Sequence, residues 1–179
     1  GFQGHLTAGE IINQVRSIPE SQKITNIVYM GMGEPLDNTD EVLKSLDILT
    51  SDWGFAMSPR RITLSTIGVF PGLKRFLDES ECHLAISLHS PFDEERRFLM
   101  PAQKTQPIVR SIELVRKYNW YGQRRFSVEY ILFDGVNDSF KHAEALCNLL
   151  RGIRARVNLI RYHSIPGVDL KGSSEEKIH

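Results

Sequence analysis

Four polar groupings in this sequence could do chemistry together: Gly31-Met32-Gly33-Glu34-Pro35, Ser65-Thr66, Ser87-Leu88-His89 and, further on, His163. Two glycines let a backbone approach a ligand closely, because no Cβ stands in the way. Their carbonyls can accept hydrogen bonds from an ammonium group, and the Glu34 carboxylate adds a charge of matching sign. Pro35 lacks the backbone N–H that a phosphate would seek, so the run is no dinucleotide fingerprint. A tight strand-to-helix turn accounts for the same five residues. Ser65 and Thr66 offer hydroxyls suited to a ribose or a carboxylate, and equally to closing a turn. In Ser87-Leu88-His89 the alternation of a strand sends Ser87 and His89 to one side and Leu88 to the other. Two polar groups at the end of a buried strand cost free energy unless they meet partners. His163 either bonds a ligand or lies exposed.

Other polar residues read more plainly. Glu129 is a charge within an apolar run and needs a partner; a structural salt bridge is the expected one. Asp134, Asn137 and Asp138 read as turn and cap residues. Three basic pairs, Arg60-Arg61, Arg96-Arg97 and Arg124-Arg125, read as solvated faces that together could touch phosphates. No Ser/His/Asp spacing, zinc pattern or P-loop is present. Cys82 and Cys147 stand apart in apolar segments, with neither disulfide nor metal-ligand spacing, and read as buried reduced thiols of a cytoplasmic protein.

The elements that must position these residues alternate. Leu6 to Ser17 predicts a helix, with Thr7 and Glu10 as a capping box and Pro19 closing it. Strands follow at Ile24 to Met30, Arg61 to Ser65, Cys82 to Leu88, Phe126 to Phe133 and Arg156 to Ile160. Between them lie a helix opened by Asn38 or Thr39, a short one over Pro71 to Asp78, two at Asp93 to Leu99 and Ile108 to Asn119, and one from Asp138 or Ser139 to Leu150. The order predicts a parallel α/β sheet with helices packed outside it, and strands apolar on both faces. An open doubly wound sheet and a barrel both satisfy it. Every polar grouping then falls at the carboxyl end of a strand, where such folds bind ligands. The leading helix suggests a further strand before Gly1, making six units rather than eight. Beyond Pro166 the chain turns polar, and residues 168–179 are expected to be loose.

At 179 residues, with 41% hydrophobic and 25% charged content, the chain suits one globular core spanning residues 1–167. The 22 basic and 22 acidic residues cancel, so composition points to no nucleic-acid or membrane partner. No apolar run approaches the roughly 20 residues that cross a bilayer. GFQGHLTAGE has no signal-peptide pattern and no starting methionine, which suggests an excised fragment.

Taken together, GF-x-G-x-LTAGEI, VYMGMGEPLDN, RRITLSTIGVFPGL, LAISLHSPFDEERRFLMP, VEYILFDGVND and VNLI resemble one family. It is the radical S-adenosylmethionine RNA methyltransferases that methylate carbon 2 of adenine in 23S rRNA and in tRNA. The resemblance spans Gly1 to about Gly167, and GMGEP with SLH in this order is its most specific part. It implies a partial (β/α)6 barrel opening onto a [4Fe-4S] cluster. It places the S-adenosylmethionine contacts on Gly33, Glu34, Ser65, Ser87, Leu88 and His89. The last contact in such proteins is an asparagine in a P-x-N-P-x-PG run; here Arg161 to Gly167 departs from that run, and His163 stands in its place.

The resemblance also implies that the cluster cysteines, as C-x-x-x-C-x-x-C, lie just before GF-x-G, and that a methyl-carrying cysteine lies beyond this chain. Neither Cys82 nor Cys147 matches either role, so the stretch alone is expected to be inactive. The implied chemistry is reductive cleavage of one S-adenosylmethionine to a 5′-deoxyadenosyl radical. A second molecule methylates the cysteine, and the radical activates that methyl group for attack on the base. An electron donor such as flavodoxin is implied. Rival readings are a carbon-8 adenine methyltransferase of the same superfamily, a cofactor-free barrel enzyme, and a non-enzymatic RNA-binding α/β domain.

Overall fold

Five strands, β1 (Ile27–Tyr29), β2 (Ile62–Thr66), β3 (His83–Ser87), β4 (Phe126–Leu132) and β5 (Ala155–Arg161), form one sheet in chain order. Every neighbouring pair is parallel. The computed structural model describes residues 4–101 and 107–178, so Gly1 and Phe2 of the GF-x-G motif, and His179 of the tail, lie outside it. A doubly wound sheet would reverse its strand order at a switch point. This order runs straight through, as a barrel-type sheet requires.

Helix α1 (Ala8–Arg16) precedes β1, and α2 (Thr39–Thr50), α3 (Gly72–Glu79), α4 (Asp93–Leu99), α5 (Ile108–Val115) and α6 (Phe140–Leu150) fill the crossovers. Thr7 caps α1 as the sequence predicts: its Oγ1 accepts from the Glu10 N–H at 3.3 Å, while the Glu10 carboxylate accepts from the Thr7 N–H at 2.8 Å. Helix α2 buries Val42, Leu46 and Leu49. Helix α5 stops four residues before its expected end, where Trp120 Nε1 donates to the Val115 carbonyl at 2.8 Å and turns the chain.

The strands are apolar on one face only, which corrects the two-sided expectation. Ile62 and Leu64, Leu84 and Ile86, and Phe126, Val128 and Tyr130 join the helices in one core. The alternate residues of β2 to β4 are Thr63, Ser65, His83, Ala85, Ser87, Ser127, Glu129 and Ile131, so the opposite face is mainly polar. Strand β1 is shorter than the predicted Ile24 to Met30 because only Ile27 to Tyr29 pair with β2.

The stretch expected to be loose after Pro166 makes contacts. Gly172 bridges Phe133, and a short helix α7 (Glu175–Ile178) follows. The Lys177 ammonium donates to Asp134 at 2.8 Å and to Asp138 at 3.0 Å. Among the described residues no helix is long and apolar enough to cross a membrane.

Candidate functional site

The first turn after β1 carries Gly31-Met32-Gly33 on the surface, with Gly33 at φ +97°, a conformation L side chains rarely adopt. A Cβ at Gly31 or Gly33 would meet nothing within 4 Å, so this backbone edge stands open. Glu34 faces the other way. Its Oε1 accepts from Leu36 N–H at 3.0 Å and Thr66 Oγ1 at 2.6 Å, and its Oε2 accepts from Ile67 N–H at 2.8 Å. The carboxylate therefore clamps the tip of β2 to the glycine turn, and one acceptor direction of Oε2 remains open. Burial pushes its carboxyl pKa up, against these three bonds.

Ser65, one residue before the end of β2, and Ser87, the last of β3, lie on the polar face of adjacent parallel strands. Neither hydroxyl bonds to another described residue, unlike Thr66, which serves Glu34 and the Gly68 N–H. His89 follows at φ +56°. Its Nδ1 accepts from the Ile131 N–H at 3.1 Å, and its carbonyl accepts from Asn137 Nδ2 at 2.5 Å. With Nδ1 an acceptor, the neutral ring carries its proton on Nε2. Burial, with the Arg96 charge second, brings the pKa of His89 down to about 4.

Leu88 offers no open surface to a ligand. Its side chain is fully buried, its N–H donates to the Glu129 carbonyl and its own carbonyl accepts from Arg96 Nε. His163 is exposed beyond β5, two strands away from His89, and nothing described holds it to the other residues. The strand tips thus gather Gly31 to Gly33, Ser65, Ser87 and His89, while Glu34 and Leu88 support them.

Several contributors escape a reading by motif. Glu129 has no ion pair among the described residues, which corrects the expected salt bridge. It accepts instead from Ser127 Oγ at 3.1 Å and Asn158 Nδ2 at 2.6 Å. The Asn within RVNLI, level with Glu129 in the β4–β5 register, was the available signal. Arg96 is not a solvated residue but fully buried; it donates to the carbonyls of Ile67, Ser87 and Leu88. One of its nitrogens, Nη1, has no partner. Arg124 is likewise buried, so the basic pairs each divide into different environments or, for Arg60-Arg61, stay exposed. Cys147 is exposed, again contrary to expectation.

A Ser139–His142–Glu95 line of hydrogen bonds, at 2.6 and 2.9 Å, joins α6 to α4. Ser139 is the cap of α6 and already receives the His142 N–H, so the line fastens two helices. A cavity of about 620 Å³ includes Gly33 and Glu34 but not Ser65, Ser87 or His89. It follows the side of β1 that pairs with no described strand, so it is a neighbour of the tip cluster and not its centre.

The low pKa of His89 gives a prediction. A histidine held neutral in the fold loses stability as pH falls below its unfolded pKa near 6.5, until the folded pKa near 4 is passed. Glu34, with its raised carboxyl pKa, contributes in the opposite sense, so the comparison must isolate His89. Relative to His89→Gln, the wild type is expected to lose about 3 kcal/mol between pH 6.5 and 4. Urea unfolding of both chains at pH 7 and pH 4.5 checks this, and parallel losses contradict it.

A parallel sheet in chain order, with helices in its crossovers and a glycine turn after its first strand, is the arrangement of a partial β/α barrel. The chain belongs to the Radical SAM superfamily, whose model matches residues 1–147. It is 57% identical over 178 residues to a Porphyromonas gingivalis protein described as a probable dual-specificity RNA methyltransferase RlmN, covering 99% of this chain and 52% of that protein. A Parabacteroides distasonis protein of the same description is 59% identical, with 99% and 52% covered. The crystal structure of a radical SAM methyltransferase from Sphaerobacter thermophilus superposes with a TM-score of 0.90 at 40% identity, covering 99% of this chain and 54% of that one. The chain spans about half the length of the curated relatives it matches.

Membership implies S-adenosylmethionine and a [4Fe-4S] cluster as cofactors. The open glycine edge and the unengaged hydroxyls suit the first. For the second, no group of three or more His, Cys, Asp or Glu among the described residues could hold a metal.

Proposed function

We propose that this stretch is the cofactor-holding barrel of an enzyme that methylates carbon 2 of adenine in 23S rRNA and tRNA through a methyl-cysteine intermediate. It acts in the cytoplasm with an electron donor such as flavodoxin. What supports the reading is that the hydroxyls of Ser65 and Ser87, on one face of adjacent strands, bond to no other described residue, with His89 just past the second tip and an open glycine edge after β1. S-adenosylmethionine, when bound, supplies the one-carbon unit and the oxidising power for the reaction. The carbonyls of Gly31 to Gly33 take its ammonium group, as an edge that Glu34 holds in place. Ser65, Ser87 and the Nε2 proton of His89 take its carboxylate and ribose hydroxyls, and His163 adds a bond from the last strand. Leu88 keeps that side of the cleft rigid from behind. The target adenine must leave its stack to reach the tips.

Two measurements test this. RNA from cells expressing the full-length protein should contain 2-methyladenosine by mass spectrometry, and 8-methyladenosine in its place overturns the carbon-2 assignment. Calorimetry of S-adenosylmethionine with Ser65→Ala and Ser87→Ala should show each weakened about 5- to 10-fold, with melting temperature unchanged, as for one lost hydrogen bond. Unchanged affinity in both contradicts the assigned contacts.

A further inference from the structure

The other end of the barrel carries a pocket that the cofactor reading leaves unused. It has a volume of about 280 Å³ and sits where β4 and β5 begin, among Arg60, Arg124, Arg125, Arg154, Arg156 and Trp120. No Asp or Glu lines it. In a chain with equal numbers of acidic and basic residues, this is a local concentration of one sign.

The arginines differ in what they already do. Arg124 is a fixed wall, its guanidinium bonded to the carbonyls of Phe76, Leu77 and Cys82 at 2.9 to 3.3 Å. Arg154 reaches the Tyr121 carbonyl at 3.4 Å. The guanidinium groups of Arg60, Arg125 and Arg156 are exposed and have no hydrogen bond or ion pair among the described residues. Elsewhere such groups find acids: Arg75 bonds Asp40 and Glu79, and Arg161 bonds Glu175. Crowded like charges repel, and an anion between them relieves that repulsion. His83 sits beneath, its Nδ1 accepting from the Arg125 N–H at 3.1 Å. Burial, and then the neighbouring arginines, push its pKa below the ordinary value.

The geometry points to this basal pocket as a seat for a backbone phosphate of the RNA substrate, remote from the methylated base. The inference rests on the RNA reading above. Guanidinium forks match phosphate oxygens in pairs. The volume falls just under the roughly 300–1,000 Å³ of sites built for whole small ligands, so a segment of a larger one suits it better. Exposed aromatic rings stand on the loops of the same end: Tyr121 is 71% exposed before β4, and Trp53 is 71% exposed before β2. Exposed rings at the same end as the arginines favour a nucleic acid, with bases stacking on the rings, over an acidic peptide. β4 spans seven residues, which puts the pocket on the order of 20 Å from the tips at about 3.3 Å per residue. A folded RNA covers that distance easily.

The test is fluorescence anisotropy of a labelled RNA hairpin with the full Gly1–His179 chain over a range of salt. Arg125→Glu with Arg156→Glu should weaken binding at least about 10-fold and lower the salt slope by about 1 to 2, the signature of lost phosphate contacts. The milder pair Arg125→Gln with Arg156→Gln should show the same trend, and circular dichroism checks that both are folded. Lys44→Glu, a single reversal on the exposed side of α2, should change affinity less than about twofold. Loss no larger than in Lys44→Glu overturns the proposal and leaves the methyltransferase reading intact. Pyrophosphate or a poly-glutamate peptide bound at the pocket, with RNA affinity unaffected by the variants, overturns it in favour of a free anion or a protein partner. Absence of any RNA binding by the wild-type chain removes the RNA reading and this proposal together.

Discussion

Arg96→Met is expected to lower stability by about 2–6 kcal/mol. Its guanidinium is fully buried and joins three carbonyls, those of Ile67, Ser87 and Leu88, at 2.8 to 3.0 Å. Ile67 and Leu88 belong to the turns after β2 and β3, and Ser87 is the last residue of β3. Methionine fills much of the volume but leaves the Ile67 and Ser87 carbonyls without that donor, at roughly 1–3 kcal/mol each, while the Leu88 carbonyl keeps the Ser90 N–H at 2.7 Å. Burial brings the Arg96 pKa down to about 10, so the side chain remains charged at neutral pH. Arg96→Lys should recover less than half of the loss, because one ammonium cannot reproduce a planar fork. Urea unfolding at pH 7 measures both. A loss under about 1 kcal/mol for Arg96→Met would show that these carbonyls find water or relax.

Glu34→Ala should be nearly as damaging to stability and more damaging to the cleft. Three donors converge on this carboxylate from two elements: Leu36 N–H on its own turn, and Thr66 Oγ1 and Ile67 N–H from the tip of β2. Removing the acceptors is expected to cost about 2–4 kcal/mol and to free the glycine edge from the strand beside it. Affinity for S-adenosylmethionine should then fall more than about 10-fold, beyond the effect of either serine variant. Glu34→Gln tests the reason. A carboxylate only accepts, whereas an amide turns one end into a donor facing an N–H. Gln should therefore fall between Glu and Ala in both stability and affinity. If Gln matches wild type in both, the clamp is not what holds the edge.

How much of this was legible beforehand depends on how far apart the partners lie. The Thr7–Glu10 capping box spans three residues and can be read directly from the sequence. Strand and helix positions also follow from short-range patterns, and errors concentrate at ends, as in β1 and α5, where pairing or a side chain decides. The placement of Ser65 and Ser87 on one side of neighbouring strands follows from alternation, whereas His89, past the strand at φ +56°, is oriented by the Ile131 N–H. What escaped was set by register and by long reach. Glu34 looked like a free charge for a ligand because the donors from β2 stand 32 and 33 positions later. Glu129 looked as if it needed a cation because Asn158 becomes its neighbour only once β4 and β5 align. Arg96 and Arg97 are adjacent and identical in type, yet one faces the core and the other solvent, a distinction that helix phase alone makes visible. The polar tail suggested looseness, but Lys177 and Ser173 find Asp138 across more than thirty residues.

The central claim is that tips of successive parallel strands form one nucleoside cleft, and nuclear magnetic resonance examines it residue by residue. Titrating 15N-labelled chain with millimolar S-adenosylmethionine should shift the amides of Gly31, Gly33, Ser65, Ser87 and His89 together, along one saturation curve. Shifts confined to the groove beside α1 or to the arginine end of the barrel, with those five amides unmoved, would contradict it.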